Sequence, residues 1–319
     1  MKNIGAGVAL SAVTLPPSSA IASKVLFQDD DKQKRIRIGI IGAENSHTVG
    51  YGKMFNTDKK FPGVEVLYVW GETDEFASIA AEKGNIPNIV KDPSEMSGKI
   101  DALIVDHRHA KYHLEAARPF IKEGIPTFID KPFCYRVEEG KEFLAMARKY
   151  GTPVTSYSSI AYSNATFDMK KQVESMEKVD QVIRCGPVDV NSKYGGIFFY
   201  GVHLLQPLMN IFGEDIERVQ VTRNGENGSA GLVFKSGLYA TLVFKKSGGW
   251  ETFVETKEGL SELKPRVEES DPAINYVAMV EMFRTGKEPR SYESILNGIA
   301  VLEALEKSVV SQKWEEVMF

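Results

Sequence analysis

The chain has 319 residues, of which 43% are hydrophobic and 26% are charged, and its formal net charge is -4 at pH 7. This length is about twice that of a typical domain, so two domains that share a cleft are expected. The negative balance argues against a nucleic-acid surface, which needs basic residues to neutralise phosphates, and favours a small-molecule partner. No apolar run reaches the roughly 20 residues that a membrane-spanning helix needs, so no membrane-embedded segment is expected.

The first 34 residues resemble a leader and a linker rather than part of a folded domain. One basic residue precedes a mildly apolar run, and Ala20 and Ala22 fit the small-residue pattern of an export-signal cleavage site. A flexible or surface-docked leader on a cytoplasmic protein is the alternative, so localisation stays open between the periplasm and the cytoplasm. The charged stretch DDDKQKR follows, and folding is expected to begin near Arg35.

From Ile36 the chain alternates short β-branched runs with amphipathic stretches, which predicts a parallel sheet covered by helices. The predicted strands are, in order, IRIGIIG, VEVLYVWG, NIPNIV, DALIVD, PTFID and PVTSYSS. The predicted helices between them are SHTVGYGKMFN, DEFASIAAEKG, KYHLEAARPFIKEG and EEGKEFLAMARKYG. An α/β domain over residues 35–157 is the expected result.

The pattern changes after residue 160. Two helical stretches, NATFDMKKQVESM and GVHLLQPLMNIFG, precede strand runs that alternate apolar and polar residues around the turns NGENG, KSG and SGG. This alternation predicts an antiparallel meander, which can present one face to a partner domain. A long helix with an apolar stripe, at about residues 291–311, is expected to pack back onto the assembly. The second domain is therefore expected over residues 158–319.

Three stretches of the chain, taken in their order and spacing, resemble one known family. The first is DALIVDHRHAKYHLEAARPFIKEGIPTFIDKPF, which ends in Asp130, Lys131 and Pro132 where the family has Glu-Lys-Pro. The second is GGIFFYGVHLLQPLMNIFG, in which paired glycines precede a Gly-Val-His motif, and the third is YESILNGIAVLEALEKSVVSQKWEEV. On these motifs the chain resembles the Gfo/Idh/MocA oxidoreductases, which include glucose-fructose oxidoreductase and inositol dehydrogenase.

The resemblance implies both a fold and an activity. The fold is an N-terminal Rossmann domain with a doubly wound parallel sheet, followed by an α/β domain with an open, mainly antiparallel sheet that often mediates oligomers. The activity is NAD(P)-dependent hydride transfer on a sugar, cyclitol or related polyol. A carbohydrate-like small molecule is thus the implied substrate, and a homo-oligomer is the implied assembly.

The resemblance also implies the catalytic side chains. Lys131 lies at the expected mouth of the fifth strand, where ligands of open α/β sheets bind, and suits proton transfer or substrate positioning. His203, in the Gly-Val-His motif, can pass a proton at neutral pH. Many relatives carry an aspartate four residues before or three residues after this histidine, where this chain has Phe199 and Gln206. The histidine is therefore expected to lack its usual orienting partner, and Tyr200 is the candidate substitute.

The first turn of the predicted sheet departs from the dinucleotide-binding pattern. Gly42 provides the tight turn, but Glu44 replaces the glycine that approaches the pyrophosphate, and His47 replaces the glycine that lets helix and strand pack closely. A carboxylate about 4 Å from a phosphate would cost on the order of 4 kcal/mol at an effective dielectric constant of about 20. Three outcomes stay open: Glu44 turns outward, the dinucleotide is displaced, or the domain no longer binds one.

The remaining cofactor candidates lie in this turn and at the ends of three other strands. Turn amides and hydroxyl groups can bind an anion, and an acidic residue after the second strand can bind the adenosine ribose. For that acid Glu72 is favoured over Asp74, and NAD over NADP. The candidate cofactor residues are Gly42, Glu44, Asn45, Ser46, His47, Glu72, His107, Arg108, His109, Asp130 and Lys131.

The sequence His107-Arg108-His109 after the fourth strand raises the question of a metal. Successive residues of a strand face opposite ways, and the central arginine would repel a cation, so no metal site is expected. A role toward a cofactor phosphate or an acidic substrate is the alternative to a purely structural one.

Two other functions stay open beside an NAD(P)-dependent oxidoreductase. An enzyme can use bound NAD for transient oxidation during a lyase or glycosidase reaction, with no net redox change. A non-catalytic small-molecule-binding protein on the same fold is favoured by Phe199 and the unusual first turn, and opposed by Lys131 and His203.

Overall fold

The computed structural model describes residues 35–225, 227–267 and 271–319 of the chain. The leader predicted for residues 1–34, with its cleavage pattern at Ala20 and Ala22, lies outside the described residues. The described part is organised by a parallel six-stranded sheet and a mixed, mainly antiparallel seven-stranded sheet, both associated with helices. The predicted α/β fold class is therefore confirmed.

The first sheet consists of β1 (Ile36–Ile41), β2 (Val64–Trp70), β3 (Asn88–Ile89), β4 (Ala102–Val105), β5 (Thr127–Ile129) and β6 (Val154–Thr155). The strand order is β3-β2-β1-β4-β5-β6, and all neighbours are parallel. The chain reverses its winding direction between β1 and β4. Ligands of doubly wound sheets bind in the crevice at the carboxyl ends of such strands. We call this space the central crevice.

Four helices belong to the first sheet: α1 (Ser46–Gly52), α2 (Asp74–Gly84), α3 (His113–Lys122) and α4 (Val137–Tyr150). A π-helical segment, Lys53–Thr57, extends α1 beyond its α-helical part. The side chain of Asn45 caps α1, and that of Thr73 caps α2 by accepting from a backbone N–H of the first turn. Such caps satisfy amides that have no partner within the helix and so fix where each helix begins.

The second sheet consists of β7 (Gln181–Pro187), β8 (Ile216–Asn224), β9 (Asn227–Phe234), β10 (Tyr239–Lys245), β11 (Glu251–Thr256), β12 (Gly259–Glu262) and β13 (Glu315–Glu316). Its order is β12-β11-β7-β10-β9-β8-β13, and only the β7–β10 pair is parallel among these strands. Alternate residues of β10, namely Ala240, Leu242 and Phe244, are buried. One face of the sheet therefore forms the core with helices, as period-two patterning requires.

The remaining helices are α5 (Asn164–Glu174), α6 (Ile197–Phe212), α7 (Val277–Thr285) and α8 (Tyr292–Ser311). Helix α8 packs on α6, α4 and β8, so the end of the chain joins both domains. Within the described ranges, no helix combines the length and the apolar character needed to cross a lipid bilayer.

Helix α7 packs on the first sheet although it follows the second sheet in the chain. Its Met279 and Val280 share one buried apolar cluster with Ile38 of β1 and Val66 of β2. Helix α7 lies in the range expected for the second domain, but its apolar face completes the core of the N-terminal sheet.

Two glycines of α1 provide a matched pair for testing how closely α1 and α2 pack. A Cβ on Gly52 would lie 2.4 Å from the carbonyl oxygen of Gly84 in α2, whereas a Cβ on Gly50 would have no atom within 4 Å. Gly52→Ala is therefore expected to lower the free energy of unfolding by about 2 kcal/mol, the cost of overpacking. Gly50→Ala is expected to be neutral or stabilising by up to about 1 kcal/mol, because alanine favours helix. Urea denaturation measures both, and equal effects would contradict the close contact.

Candidate active site

Two buried carboxylates lie side by side in the central crevice, Asp106 directly after β4 and Asp130 directly after β5. Asn45 joins them, since its Nδ2 donates to Asp106 Oδ1 and to Asp130 Oδ2, each at 3.1 Å. Thr48 Oγ1 donates to the other oxygen of Asp106 at 2.5 Å. Asp106 was not a sequence candidate. The one feature of the sequence that points to Asp106 is that an acidic residue directly follows a buried apolar strand.

The environments of these two aspartates separate their pKa values. Burial raises the pKa of Asp106 well above its usual value, and the charge of Asp130 adds to this. Burial acts in the same direction on Asp130, but Lys131 and His47 outweigh it and hold the pKa of Asp130 far below its usual value. Because two close carboxylates do not ionise together easily, Asp106 retains its proton while Asp130 carries the charge.

Lys131 and His47 approach the same oxygen of Asp130. Lys131 Nζ lies 3.3 Å and His47 Nδ1 lies 3.4 Å from Asp130 Oδ2. Burial lowers the pKa of His47, yet the charges of Asp130 and Asp106 outweigh burial and raise it. The side chain of His47 is 31% exposed, whereas that of Lys131 is buried. His47, which stands where the dinucleotide-binding pattern has its third glycine, therefore connects a buried charge network to solvent.

His47, Asp106 and Asp130 also form a potential metal-binding group, with ligand atoms within 4.8 Å of one another. The sequence analysis predicts no metal site and names none of these three residues as a metal ligand. The Nδ2 atom of Asn45 lies among these atoms, 3.1 Å from both aspartate oxygens and 3.5 Å from His47 Nδ1. A cation would have to displace this amide and tolerate the adjacent Lys131 ammonium. The carboxylates are thus satisfied by the protein itself.

Glu44 points away from the first turn. Its Oε1 accepts a hydrogen bond of 2.6 Å from the hydroxyl of Tyr194 in the second domain. Glu72, at the carboxyl end of β2, binds the turn instead, since its Oε2 accepts from the N–H groups of Ala43 at 2.8 Å and Glu44 at 2.9 Å. Of the alternatives for Glu44, the structure has the outward orientation.

The turn is tight where Gly42 approaches the chain after β4. Gly42 has a φ of 109°, and a Cβ there would lie 2.5 Å from the backbone nitrogen of His107. Glycine adopts this φ without strain, whereas a residue with a side chain would adopt it only at an energetic cost. Ser46, at the start of α1, is exposed beside the turn and remains accessible to a ligand.

Glu72 also pairs with His107, whose Nδ1 lies 2.8 Å from Glu72 Oε1. Burial acts to raise the pKa of Glu72, but the hydrogen bonds from His107 and from the amides of Ala43 and Glu44 lower it to about 2. Glu72 is therefore a carboxylate at neutral pH, at the position where an acid was expected to bind ribose.

The side chains of Arg108 and His109 diverge from His107. His109 Nδ1 lies 2.9 Å from the hydroxyl of Tyr135. The guanidinium carbon of Arg108 lies 4.4 Å from the ring centre of Tyr194 and therefore stacks on an aromatic side chain of the second domain. The three side chains contact different residues, and all three lie after the end of β4 at Val105, so strand geometry does not set their directions.

His203 faces the central crevice from α6 and is 8% exposed. Its Nδ1 lies 2.7 Å from Ser158 Oγ, and Gln206 Oε1 accepts from the N–H of Ser158 at 2.5 Å. The imidazole therefore has an orienting partner, contrary to the sequence-based expectation, and the partner is a serine from the segment after β6. The sequence gives little signal for it, because Ser158 belongs to a serine-rich stretch that resembles a loop.

Lys131 and His203 face the same space from different domains. Burial lowers the pKa of His203 well below its usual value, and the positive charge of Lys131 adds to this, so the imidazole is neutral at pH 7. Phe199 has its ring centre 5.7 Å from Lys131 Nζ. Tyr200, which is 40% exposed, contacts His203 edge-on through its ring at 5.5 Å between ring centres. These two aromatic residues border the space between the two polar groups.

The N-terminal part of the chain is similar to a known family. The profile of the Gfo/Idh/MocA oxidoreductases, described as an oxidoreductase family with an NAD-binding Rossmann fold, matches residues 36–158. A curated relative, the uncharacterized oxidoreductase YhhX of Escherichia coli K12, is 26% identical over 125 residues. This match covers 35% of each chain, so the protein aligns with about a third of the length of that relative.

Solved structures share the fold over most of the chain. GenD2 from gentamicin A biosynthesis, in complex with NAD, superposes with a TM-score of 0.74 at 14% identity over 90% of this chain and 97% of its own. The apo scyllo-inositol dehydrogenase of Lactobacillus casei gives a TM-score of 0.74 at 14% identity over 89% and 99%. An oxidoreductase of Thermotoga maritima gives 0.74 at 18% identity over 89% and 99%. At such identities the likeness concerns the fold.

The contact of Glu72 with the first turn predicts a pH-dependent contribution to stability. Its pKa is lowered from 4.5 to about 2 in the folded protein, so the stabilisation is present above about pH 4.5 and is lost as the pH falls toward 2. Glu72→Gln is expected to lower the free energy of unfolding by about 1 kcal/mol at pH 7, and by less as the pH approaches 3. Urea denaturation across pH measures this. Glu82→Gln, at an exposed site on α2, is the control, and equal or pH-independent losses would contradict the assignment.

Proposed function

Since residues 36–158 belong to the Gfo/Idh/MocA oxidoreductase family with its NAD-binding Rossmann fold, we propose that the protein is an NAD-dependent oxidoreductase. Its substrate is a secondary alcohol of a sugar, cyclitol or related polyol, a class that the inositol dehydrogenase among its structural neighbours supports. One observation carries the proposal: Lys131 and His203 converge on the central crevice from the two domains. A homo-oligomer formed through the second sheet is part of the proposal.

The central crevice fits a dinucleotide at the two positions that decide its binding. Glu44 binds Tyr194, so its carboxylate does not cover the first turn where the pyrophosphate would lie. Glu72 is a carboxylate after β2 whose oxygens already contact the turn amides and His107, so the proposal has it share these oxygens with the ribose hydroxyls of NAD, and its charge would repel the additional phosphate of NADP. Asn45, Ser46 and His47 border the same turn. When bound, the nicotinamide supplies the acceptor for the hydride of the alcohol carbon.

Lys131 and His203 have different roles toward the substrate hydroxyl group: Lys131 positions its oxygen, and His203 accepts its proton. The Asp130 carboxylate, 3.3 Å away, stabilises the Lys131 ammonium, which can donate a hydrogen bond to the substrate oxygen and position it. His203 is neutral, and among the described residues its Nε2 has no hydrogen-bond partner, while Ser158 holds Nδ1. His203 therefore accepts the hydroxyl proton at Nε2. Its lowered pKa means that it releases this proton readily.

Substitutions at Lys131 and His203 test these roles. Lys131→Met is expected to abolish NAD reduction with a panel of inositols and aldoses, and His203→Asn to slow it by about a hundredfold or more, the scale of a lost general base. NADH absorbance measures the rates. Circular dichroism checks folding, because Lys131 pairs with buried Asp130.

Lys111→Met is the control, because it makes the same substitution at an exposed lysine, whose ammonium stacks on the ring of the neighbouring Tyr112. If Lys131→Met and His203→Asn both retain wild-type rates, these roles are wrong. Product formation by the unmodified protein without net NADH would favour the lyase or glycosidase alternative.

The orientation of Glu44 predicts how the first turn responds to substitution. Glu44→Gln retains an acceptor for Tyr194 and removes the charge, so NAD affinity is expected to rise about threefold, and more at low salt because screening is weaker. Tyr194→Phe frees the carboxylate to approach the turn and is expected to lower the affinity. Glu44→Gly removes the charge and the interdomain contact together. Calorimetric titration with NAD and NADP measures all three. No binding in any of these proteins would contradict the NAD proposal and favour a non-catalytic binding protein.

A further inference from the structure

Arg184, on β7 of the second sheet, carries a buried charge that no carboxylate of the described residues pairs. It is 2% exposed, Nη1 donates to Thr252 Oγ1 at 2.6 Å, and Nε has no hydrogen-bond partner in the described part of the chain. No ion pair joins this guanidinium to a carboxylate of the described residues. Burial lowers the pKa of Arg184 to about 10, so the side chain remains charged at pH 7. Burying an unpaired charge is unfavourable, which makes such a group a candidate for ligand binding.

A cavity of about 420 Å³ opens beside this side chain. Two carboxylates line it with Arg184, but each is held by a lysine: Glu251 by Lys245 at 2.7 Å, and Glu262 by Lys264 at 2.8 Å. Among the described lining residues, Arg184 and Lys264 therefore match the two carboxylates in charge, and Lys245, which does not line the cavity, adds a positive charge through its ion pair with Glu251. The volume lies in the range of about 300–1,000 Å³ that small-molecule sites occupy. We call this space the Arg184 cavity.

Trp250 connects the Arg184 cavity to the central crevice. It lines the cavity, and its ring centre lies 5.7 Å from that of His203. Its ring is seated on the backbone of Gly186, where a Cβ would lie 2.2 Å from Trp250 Cε3. The charge of Arg184 is also among the causes that lower the pKa of His203. Trp250 therefore contacts the proton-accepting histidine and also lines the cavity of the unpaired guanidinium.

We propose that Arg184 anchors an anionic group of the substrate, so that the substrate is a polyhydroxylated acid rather than a neutral polyol. With its hydroxyl group at His203, such a molecule reaches past Trp250 and places its anionic end in the Arg184 cavity. A carboxylate or a phosphate ester accepts hydrogen bonds from several guanidinium nitrogens at once and neutralises the charge. The identity of the reacting hydroxyl rests on the proposed function, whereas the anion site depends only on the geometry around Arg184.

Matched acids and neutral analogues test the anion site without NAD or turnover. The probes are D-gluconate with D-sorbitol, D-glucuronate with D-glucose, D-galacturonate with D-galactose, and D-glucose 6-phosphate. Thermal unfolding and tryptophan fluorescence monitor binding, with Trp250→Phe to identify the signal of the residue that lines the cavity. At least one acid is expected to raise the melting temperature and saturate the fluorescence change, while its neutral analogue does not. Arg184→Met is expected to weaken that response at least tenfold.

The pattern of responses decides among the outcomes. A response to the sugar acids assigns a carboxylate, and a response to the phosphate ester alone assigns a phosphate. Equal responses to acids and neutral analogues, no response to any acid, or an unchanged response in Arg184→Met would overturn the proposal. Acid binding in a protein that does not bind NAD would overturn the oxidoreductase function and leave the anion site standing.

A second buried arginine provides the stability control. Arg290 donates to the carbonyl oxygen of Ser156 at 3.0 Å and to that of Ser294 at 2.6 Å, so Arg290→Met is expected to lower the urea midpoint. Arg184→Met removes a charge that no residue of the described chain pairs, and its midpoint is expected to be unchanged or higher. If Arg184→Met lowers the midpoint as much as Arg290→Met does, Arg184 has a structural role and the proposal fails.

Discussion

The hydrogen bonds from one Asn45 amide group to Asp106 and Asp130 are the interaction on which the central crevice depends. They join the turn after β1 to the ends of β4 and β5, the three strands that border the point where the sheet reverses its winding. Two adjacent buried carboxylates would repel each other strongly without such a donor and a proton. The same pair of acids then fixes Lys131, whose ammonium lies against Asp130. The position of the Lys131 ammonium is therefore set by a polar network that crosses the sheet.

Polar and aromatic contacts across the cleft complete the site from the second domain. Glu44 binds the hydroxyl of Tyr194, and Arg108 stacks on the ring of the same tyrosine, so one residue receives two side chains of the first domain. These contacts lie close to Phe199, one helical turn before His203 on α6. The carboxylate of Glu44, which conflicts with a dinucleotide when only the sequence is considered, therefore contacts the second domain close to α6.

Local pattern made most of the fold predictable, and distance in sequence explains what was missed. Strand β7 was not predicted; it separates β10 from β11 and pairs in parallel with β10, so the second sheet is not the antiparallel meander that was expected. The strands of the first sheet and β8 to β11 of the second do follow from apolar periodicity, because the pattern within each strand shows which of its residues are buried. The orientation of Glu44 does not, since its partner Tyr194 is 150 positions away, and the serine that orients His203 is 45 positions away. Helix α7 was not predicted and lies within the range expected for the second domain, and no local pattern indicates that it packs on the first sheet.

The two groups of buried charge in this protein differ in whether the protein itself completes them. The aspartates of the central crevice are neutralised by a proton, an amide, a lysine and a histidine, so a ligand there meets a network that is already balanced. Arg184 has one hydroxyl partner and a cavity. In the proposed function, His203 is bordered on one side by groups that hold their own charge, and on the other by a guanidinium that no carboxylate of the described residues pairs. In the proposed function, Lys131 and His203 act on the hydroxyl group in the central crevice, while Arg184 on the second sheet selects the substrate by its charge.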